Sequence, residues 1–145
     1  YKRQEPTGPD PRTVEAEKLM DAGKFDDAVA AYDALLASEP NDPVLIAGRN
    51  AAALLGRLDG KDPAALLAAA QQHPDDVNAQ LAAADVELMG GRSADAFNRI
   101  IQVVRITHDE EREAARTRLL DLFAMVGQSE PEVAAARRSL AAALF

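Results

Sequence analysis

The sequence predicts an all-α fold of stacked helical hairpins, on three observations. The 145-residue chain is rich in helix-favouring Ala, Leu, Glu and Arg, and no stretch has the alternating pattern of a strand. Asp-Pro pairs and glycines divide it into short helical segments joined by a few residues, as in antiparallel hairpins. The divisions recur, because Pro40 and Pro74 are 34 residues apart and His108 follows 34 residues later.

Start and stop signals place about eight helices. Each Asp-Pro pair fits an N-cap aspartate followed by proline in the first helical position, at Asp10, Asp42 and Asp62. Thr107 and Ser129 each precede a glutamate by three residues, which predicts capping boxes. The predicted helices cover about 12–22, 25–38, 43–56, 62–72, 77–89, 93–106, 109–126 and 131–144. Glycines predicted to end helices are Gly23, Gly56, Gly60, Gly90, Gly91 and Gly127.

The 34-residue interval is the period of a tetratricopeptide repeat. Residues 9–42, 43–76 and 77–110 tile that period without a gap, and closing helices follow over 109–145. In this register Ala28 lies where the second helix of a hairpin crosses the first, with Ala16 as its partner. Tyr32 fills the space beside the crossing. The middle unit departs from the pattern, because Asn50 and Asp62 replace small residues and the segment 58–63 lengthens the turn and shortens the second helix.

Composition excludes several classes of function. The chain has no cysteine, so thiol redox chemistry and thiolate metal sites are excluded. The net charge is −8, which disfavours nucleic acid and anionic membranes. His73 and His108 lie a whole repeat apart and fit helix ends better than a metal pair. We find no catalytic constellation, so the sequence predicts a non-enzyme without cofactor or metal.

The segment 12–145 resembles a narrower group, the chaperedoxins, which are bacterial proteins with a thioredoxin-like domain followed by a tetratricopeptide region. The resemblance is carried by AGKFDDAVAAYDALLASEP at 22–40, RTRLLDLFAMVG at 116–127 and PEVAAARRSLAAALF at 131–145. It implies that residues 1–11, with three prolines, are the stub of an interdomain linker. It also implies an upstream thioredoxin-like domain in the full-length chain. The start at Tyr1 instead of Met separately suggests that the sequence is a fragment.

The same resemblance implies a function. Chaperedoxins are associated with holding unfolding or damaged client proteins and passing them to the major chaperones of the bacterial cytoplasm. The expected partners are therefore client proteins and chaperones, with no nucleic acid and no membrane. The alternative left open is a general tetratricopeptide scaffold that assembles one defined complex.

The first helix of each hairpin is expected to line a concave, partner-binding side. Methionine and leucine there suit varied apolar segments, and flanking acids favour basic partners. The expected surface lacks a Lys/Arg clamp for a carboxylate, and its apolar members are equally compatible with ordinary core. Leu144 and Phe145 form a second candidate, a docking tail beyond a last helix that otherwise caps the stack. The candidate residues are Glu17, Met20, Asp21, Leu54, Leu81, Asp85, Leu88, Met89, Leu144 and Phe145.

Overall fold

The structure, a computed structural model, describes residues 10–145 and is all-α over that range, with no strand in it. A 3-10 turn at Pro11–Thr13 leads into eight helices, which match the predicted helices to within about two residues at each end. The helices are α1 (Val14–Asp21), α2 (Phe25–Ser38), α3 (Pro43–Leu58), α4 (Pro63–Gln72), α5 (Val77–Met89), α6 (Ser93–Ile106), α7 (Asp109–Val126) and α8 (Pro131–Leu144). The chain divides into two compact units, the first ending at Gly56 and the second covering Arg57–Phe145.

Aspartates begin the helices as the sequence predicts. The Asp10 carboxylate accepts the Arg12 N–H at 2.9 Å, and Asp62 accepts that of Ala64 at 3.1 Å. Asp42 accepts the N–H groups of the first turn of α3. Asp76 caps α5 in the same way. Each carboxylate satisfies a donor that the helix itself leaves unpaired, which confirms the N-cap predictions.

The two predicted capping boxes are wrong. The Thr107 hydroxyl donates to the Val103 carbonyl at 2.6 Å, so it closes the end of α6 instead of capping α7. His108 and Glu130 occupy the N-cap positions of α7 and α8, and neither makes a side-chain cap bond. Ser129 therefore lies one residue too early to cap α8.

In the first unit, α1 and α2 pack around small side chains. Ala16 and Ala28 are completely buried in one apolar cluster with Tyr32, as the crossing prediction requires. α3 lies so close to α2 that a Cβ atom at position 56 would be 3.2 Å from Phe25 Cβ. Gly56 is thus inside α3, and the prediction that it ends the helix is wrong. Its position reflects close packing between two helices.

The second unit contains α4 to α8 around a larger core. α5 packs against α4 and α6, and α6 packs against α7 and α8. Phe97 and Phe123 meet edge to face with ring centroids 4.9 Å apart. α8 buries Val133, Ala136 and Leu140, as a closing helix must. α4 has 10 residues where α2 and α6 have 14, which confirms the shortened helix in the middle of the chain.

Candidate functional site

A groove runs between α5 and α7 in the second unit, with the end of α3 at its side. It consists of three adjoining cavities of about 240, 430 and 480 Å³. They form one surface because Asn78 and Leu81 line the first two, while Arg57 and Arg118 line the first and third. We call this surface the α5–α7 groove. It is open to solvent.

An ion triad forms the floor of the groove. Asp85, which is 1% exposed, accepts from Arg57 Nε at 2.8 Å and Arg57 Nη2 at 3.1 Å. It also accepts from Arg118 Nη1 at 2.9 Å. Burial lowers the pKa of Arg118, and the Asp85 carboxylate opposes that effect. Within the second unit the triad therefore links Arg57 to α5 and α7, while leaving part of each guanidinium at the surface.

The first two cavities of the groove differ in charge, whereas the 480 Å³ cavity is mixed, with two arginines and three acidic residues in its lining. The 240 Å³ cavity, which we call the cationic cavity, is lined by Arg57, Lys61 and Arg118 against the single carboxylate of Asp85. The 430 Å³ cavity, which we call the acidic cavity, has four acidic residues and no basic residue in its lining. These are Asp75, Asp76, Glu110 and Glu111. Leu81 lies between the two charged regions and supplies an apolar contact.

Comparison with known proteins identifies the family. A sequence profile described as tetratricopeptide repeat matches residues 56–145, more than half of the chain. The chain belongs to the tetratricopeptide repeat family. Members of this family typically act as non-catalytic modules for protein–protein interaction. The hairpins described above are therefore a tetratricopeptide-like helical repeat, and the groove lies within the matched region.

Three mycobacterial proteins are similar to nearly the whole chain. They are the uncharacterized proteins Mb1359 of Mycobacterium bovis and MT1366 and Rv1324 of two Mycobacterium tuberculosis strains. Each is 37% identical over 142 residues, covering 98% of this chain and 46% of the relative. The chain thus spans less than half the length of these relatives. No solved structure matches it significantly.

The predicted residues of α5 fall into two groups in the tetratricopeptide domain. Leu81 and Asp85 line the groove but are buried, so each forms its floor. Leu88 is half-buried and Met89 is 52% exposed, and neither lines the three cavities. The structure thus brings Leu81 and Asp85 together and leaves Met89 on separate surface.

The predicted residues of the first unit include two that pack in the core and two acidic residues outside it. Leu54 is completely buried, and half-buried Met20 packs on the Ala16–Ala28 cluster, so both fit the core alternative. Glu17 accepts a hydrogen bond from the Thr13 hydroxyl at 2.7 Å, whereas Asp21 is exposed. At the other end of the chain, Leu144 is half-buried and Phe145 is fully exposed.

The sequence analysis expected no Lys/Arg clamp for a carboxylate on the partner surface, and it did not identify the basic residues that lie beside Leu81 and Asp85. Arg57, Lys61 and Arg118 all line the cationic cavity. Arg57 and Lys61 flank the turn after α3, and Arg118 comes from α7, which the sequence analysis treated only as a closing helix. Extending the repeat register into α7 would have placed that helix beside α5.

A second polar cluster, outside the groove, ties α4, α5 and α6 together. Arg99 donates to Glu87 Oε1 at 2.7 Å and to Gln80 Oε1 at 2.7 Å. The Gln80 amide in turn donates to the Ala70 carbonyl at 2.8 Å near the end of α4. Gln80, Glu87 and Arg99 line a cavity of about 360 Å³. Every charged member has a partner, so the arrangement favours a structural role over a reactive one.

Two further searches cover residues 10–145. No helix among them is long and apolar enough to cross a membrane. No group of three or more metal-ligating side chains comes together in this part of the chain.

Proposed function

We propose that this tetratricopeptide domain is the non-catalytic, protein-binding half of a chaperedoxin-type folding factor. In this role it holds non-native client proteins or docks a major chaperone in the bacterial cytoplasm. An upstream thioredoxin-like domain would complete the protein. The observation that carries the proposal is the open α5–α7 groove, which joins an apolar contact at Leu81 to charged walls.

Two sequence-level findings support the proposal. The closing segments at 116–127 and 131–145 resemble the end of the chaperedoxin family. The curated mycobacterial relatives are more than twice as long as the matched segment, which is compatible with a second domain. Exposed apolar side chains at Met89 and Ile106 offer further contacts for unfolded polypeptide.

The test is suppression of aggregation of two unrelated, thermally unfolded enzymes, measured by light scattering. We expect the chain to suppress both, and Met89→Ser to weaken suppression without changing the melting temperature because Met89 is exposed. Arg138→Ser, an exposed change on α8, is the matched control. A folded chain that suppresses neither client and binds no major chaperone contradicts the proposal.

The exposed end of the chain is a second proposed contact for a chaperone. Phe145 extends beyond α8 with its ring fully exposed, while Leu144 is half-buried. Removing only Phe145 should therefore reduce chaperone binding and leave unfolding by urea unchanged. Unaltered capture of the chaperone by the shortened chain would assign the docking contact elsewhere.

A scaffold for one defined complex is the second candidate function. The ion triad at Asp85 favours it, because a fixed pattern of charge selects among partners more strongly than an apolar surface does. Affinity capture with the full-length protein separates the two candidates. Many unrelated partners support client holding, and a single stoichiometric partner supports the scaffold.

A further inference from the structure

The cavity of about 360 Å³ between α5 and α6 lies on a different side of α5 from the α5–α7 groove. We call it the α5–α6 cleft. Gln80 and Glu87 line it from α5 and are seven residues apart, which places them on one side of that helix. Asp85 of the groove is five residues from Gln80 and therefore about 140° away around the helix. The two surfaces are thus separate.

The charged side chains of the cleft already neutralise one another. Arg99 donates to Glu87 at 2.7 Å, and Arg92 donates to Asp95 at 2.8 Å. Arg92 also lies 4.0 Å from Glu87. These two arginines and two acidic residues give a formal charge of zero, in contrast to the net −8 of the whole chain. A charged segment gains no net attraction from such a lining, so the cleft favours an uncharged one.

Two side-chain amides of the cleft remain for a partner. Asn98 and Gln102 are exposed, and within residues 10–145 neither side-chain amide is hydrogen-bonded. They are four residues apart and therefore project from neighbouring turns on one side of α6. Each amide has donors and an acceptor, so it can form two hydrogen bonds with another carboxamide. A carboxylate lacks the donor for this pairing, and an ammonium group lacks the acceptor.

The apolar lining of the cleft comes from Pro74, Val103 and Ile106, and Ile106 is 59% exposed. Ile106 follows Gln102 by four residues, which is about 6 Å along α6. In an extended chain, side chains on the same side are two residues apart, a distance of about 6.6 Å. An aliphatic residue in contact with Ile106 therefore places a side chain two positions away beside Gln102.

The size of the cleft suits two side chains of a protein. Its volume of about 360 Å³ equals that of about twelve water molecules. That is close to the combined size of a leucine side chain, a glutamine side chain and one peptide group. The cleft is at the small end of the range of pockets that enclose small molecules, and its amide and isoleucine walls are exposed. It therefore favours a polypeptide laid across it over an enclosed small ligand.

We propose that the α5–α6 cleft is a second protein-binding site for an uncharged segment with an aliphatic residue and an asparagine or glutamine two positions apart. The aliphatic side chain contacts Ile106, and the carboxamide pairs with Asn98 and Gln102. Because this site and the α5–α7 groove occupy different sides of α5, one domain can hold two partners at the same time. The inference goes beyond the proposed function and does not depend on the role assigned to the groove.

Capped hexapeptides test the partner chemistry by NMR titration of the chain. The probe is acetyl-Ser-Leu-Ala-Gln-Ala-Ser-amide, and three controls replace its glutamine by glutamate, its glutamine by lysine, or its leucine by serine. We expect the probe to shift the side-chain amide signals of Asn98 and Gln102 and to bind at least fivefold more tightly than each control. Sodium chloride should not weaken this binding, because no net charge attracts the peptide.

Matched substitutions locate the peptide. Gln102→Ala and Ile106→Ser change exposed positions of the cleft, and each should weaken the probe at least fivefold. Gln71→Ala on α4 and Met89→Ser at the end of α5 make similar changes at exposed positions outside the cleft and should leave binding unchanged. Glu111→Lys in the α5–α7 groove should also have no effect, because the two sites are separate.

Several outcomes overturn the inference. Equal binding of the probe and its charged controls would show that the cleft does not select an uncharged segment. Signal shifts confined to the α5–α7 groove would place the peptide there. If N-acetyl-leucinamide binds as tightly as the probe, the cleft is a small-molecule site.

The proposed function is judged separately, by aggregation suppression and chaperone binding. If the probe does not bind while suppression persists, the assignment of the cleft is wrong and the proposed function stands. If the probe binds as expected but the chain holds no client and binds no chaperone, the folding-factor role fails and the second site stands.

Discussion

Tyr32 of α2 packs directly on the backbone of Gly48 in α3, and a Cβ atom at position 48 would lie 2.5 Å from Tyr32 Cε1. Tyr32 Cζ and the Tyr32 hydroxyl oxygen would lie 2.6 and 2.8 Å from it, so the side chain could not avoid the added methyl group by a small shift. Tyr32 is 4% exposed and held among Ala16, Ala28 and Leu45. Glycine at position 48 is therefore a requirement of helix packing.

Gly48→Ala should destabilise the first unit, although the same change normally favours a helix by about 1 kcal/mol. Forcing extra volume into a packed site costs about 1–3 kcal/mol and should exceed that gain. We expect a lower midpoint of urea unfolding by circular dichroism. Gly90→Ala is the control, since its Cβ would make only ordinary contacts of 3.5 Å or more. If Tyr32→Leu does not recover stability in the Gly48→Ala background, the steric explanation is contradicted.

Removing the carboxylate of Asp85 should be the most damaging single change in the groove. Asp85→Ala leaves Arg57 and Arg118 facing each other without their shared anion. Loss of one partner from a buried ion pair costs about 3–5 kcal/mol, and partial exposure of both guanidiniums places the expected loss at the lower end. Chemical denaturation at neutral pH measures the change in free energy of unfolding.

The control for Asp85 is an exposed ion pair. Asp95 contacts Arg92 at 2.8 Å with both side chains more than half exposed, so Asp95→Ala should cost less than about 1 kcal/mol. Combining Asp85→Ala with Arg118→Leu should recover part of the stability, because the double variant removes a cation that the single variant leaves unpaired. An Asp85→Ala chain as stable as the Asp95→Ala chain would show that the triad contributes little to folding.

The sequence predicts the helices well because their boundaries depend on local chemistry. Asp62 and Pro63 determine the start of α4 by a cap and a fixed φ angle within two residues of the chain. The groove, in contrast, is formed by residues that are far apart in the sequence. Asp85 receives its partners from positions 28 residues earlier and 33 residues later, and no local pattern reports that convergence.

The same distinction explains the misplaced candidates. Leu54 has the spacing expected of a partner-facing residue, yet it is completely buried. A helix between two neighbours has more than one apolar stripe, and periodicity alone cannot tell an inward stripe from a groove-lining one. Met89, at the end of α5, has the same helical signal and is more than half exposed. Which stripe is covered depends on the tertiary packing.

The contribution of Arg12 to stability should depend on pH. Its guanidinium contacts Asp42 at 2.7 Å and Glu39 at 2.8 Å, joining the start of the chain's first hairpin to its end. The hydrogen bond from Arg12 lowers the pKa of Asp42 below its ordinary value of 3.8. A carboxylate with a lowered pKa in the folded state stabilises that state above its unfolded pKa, and the effect disappears as the pH falls through the folded pKa.

Arg12→Gln should therefore lower the urea midpoint at pH 7, and the gap from the unmodified chain should shrink below about pH 4. Lys18→Gln removes a positive charge from exposed surface of α1 and is the control, with a small gap that varies little with pH. Urea titrations at several pH values between 7 and 2.5 measure both. A gap for Arg12→Gln that stays constant down to pH 2.5 would contradict the assignment.

The Gln80 cluster should control how firmly α4 is held. Gln80 is 7% exposed and bridges the Ala70 carbonyl to Arg99, whose guanidinium also pairs with buried Glu87. Gln80→Leu has nearly the same size but cannot replace either hydrogen bond. An unsatisfied buried partner costs about 1–3 kcal/mol, so we expect a loss of that order.

The loss should also be local, which separates it from general destabilisation. Because Gln80 is the side chain that bonds to the end of α4, amide exchange should accelerate over Pro63–Gln72 more than in α6 or α8. Gln102→Leu lines the same cavity from an exposed position and should leave the exchange pattern unchanged. Uniform acceleration across the second unit would mean that α4 unfolds only together with the rest, and that Gln80 does not act as its anchor.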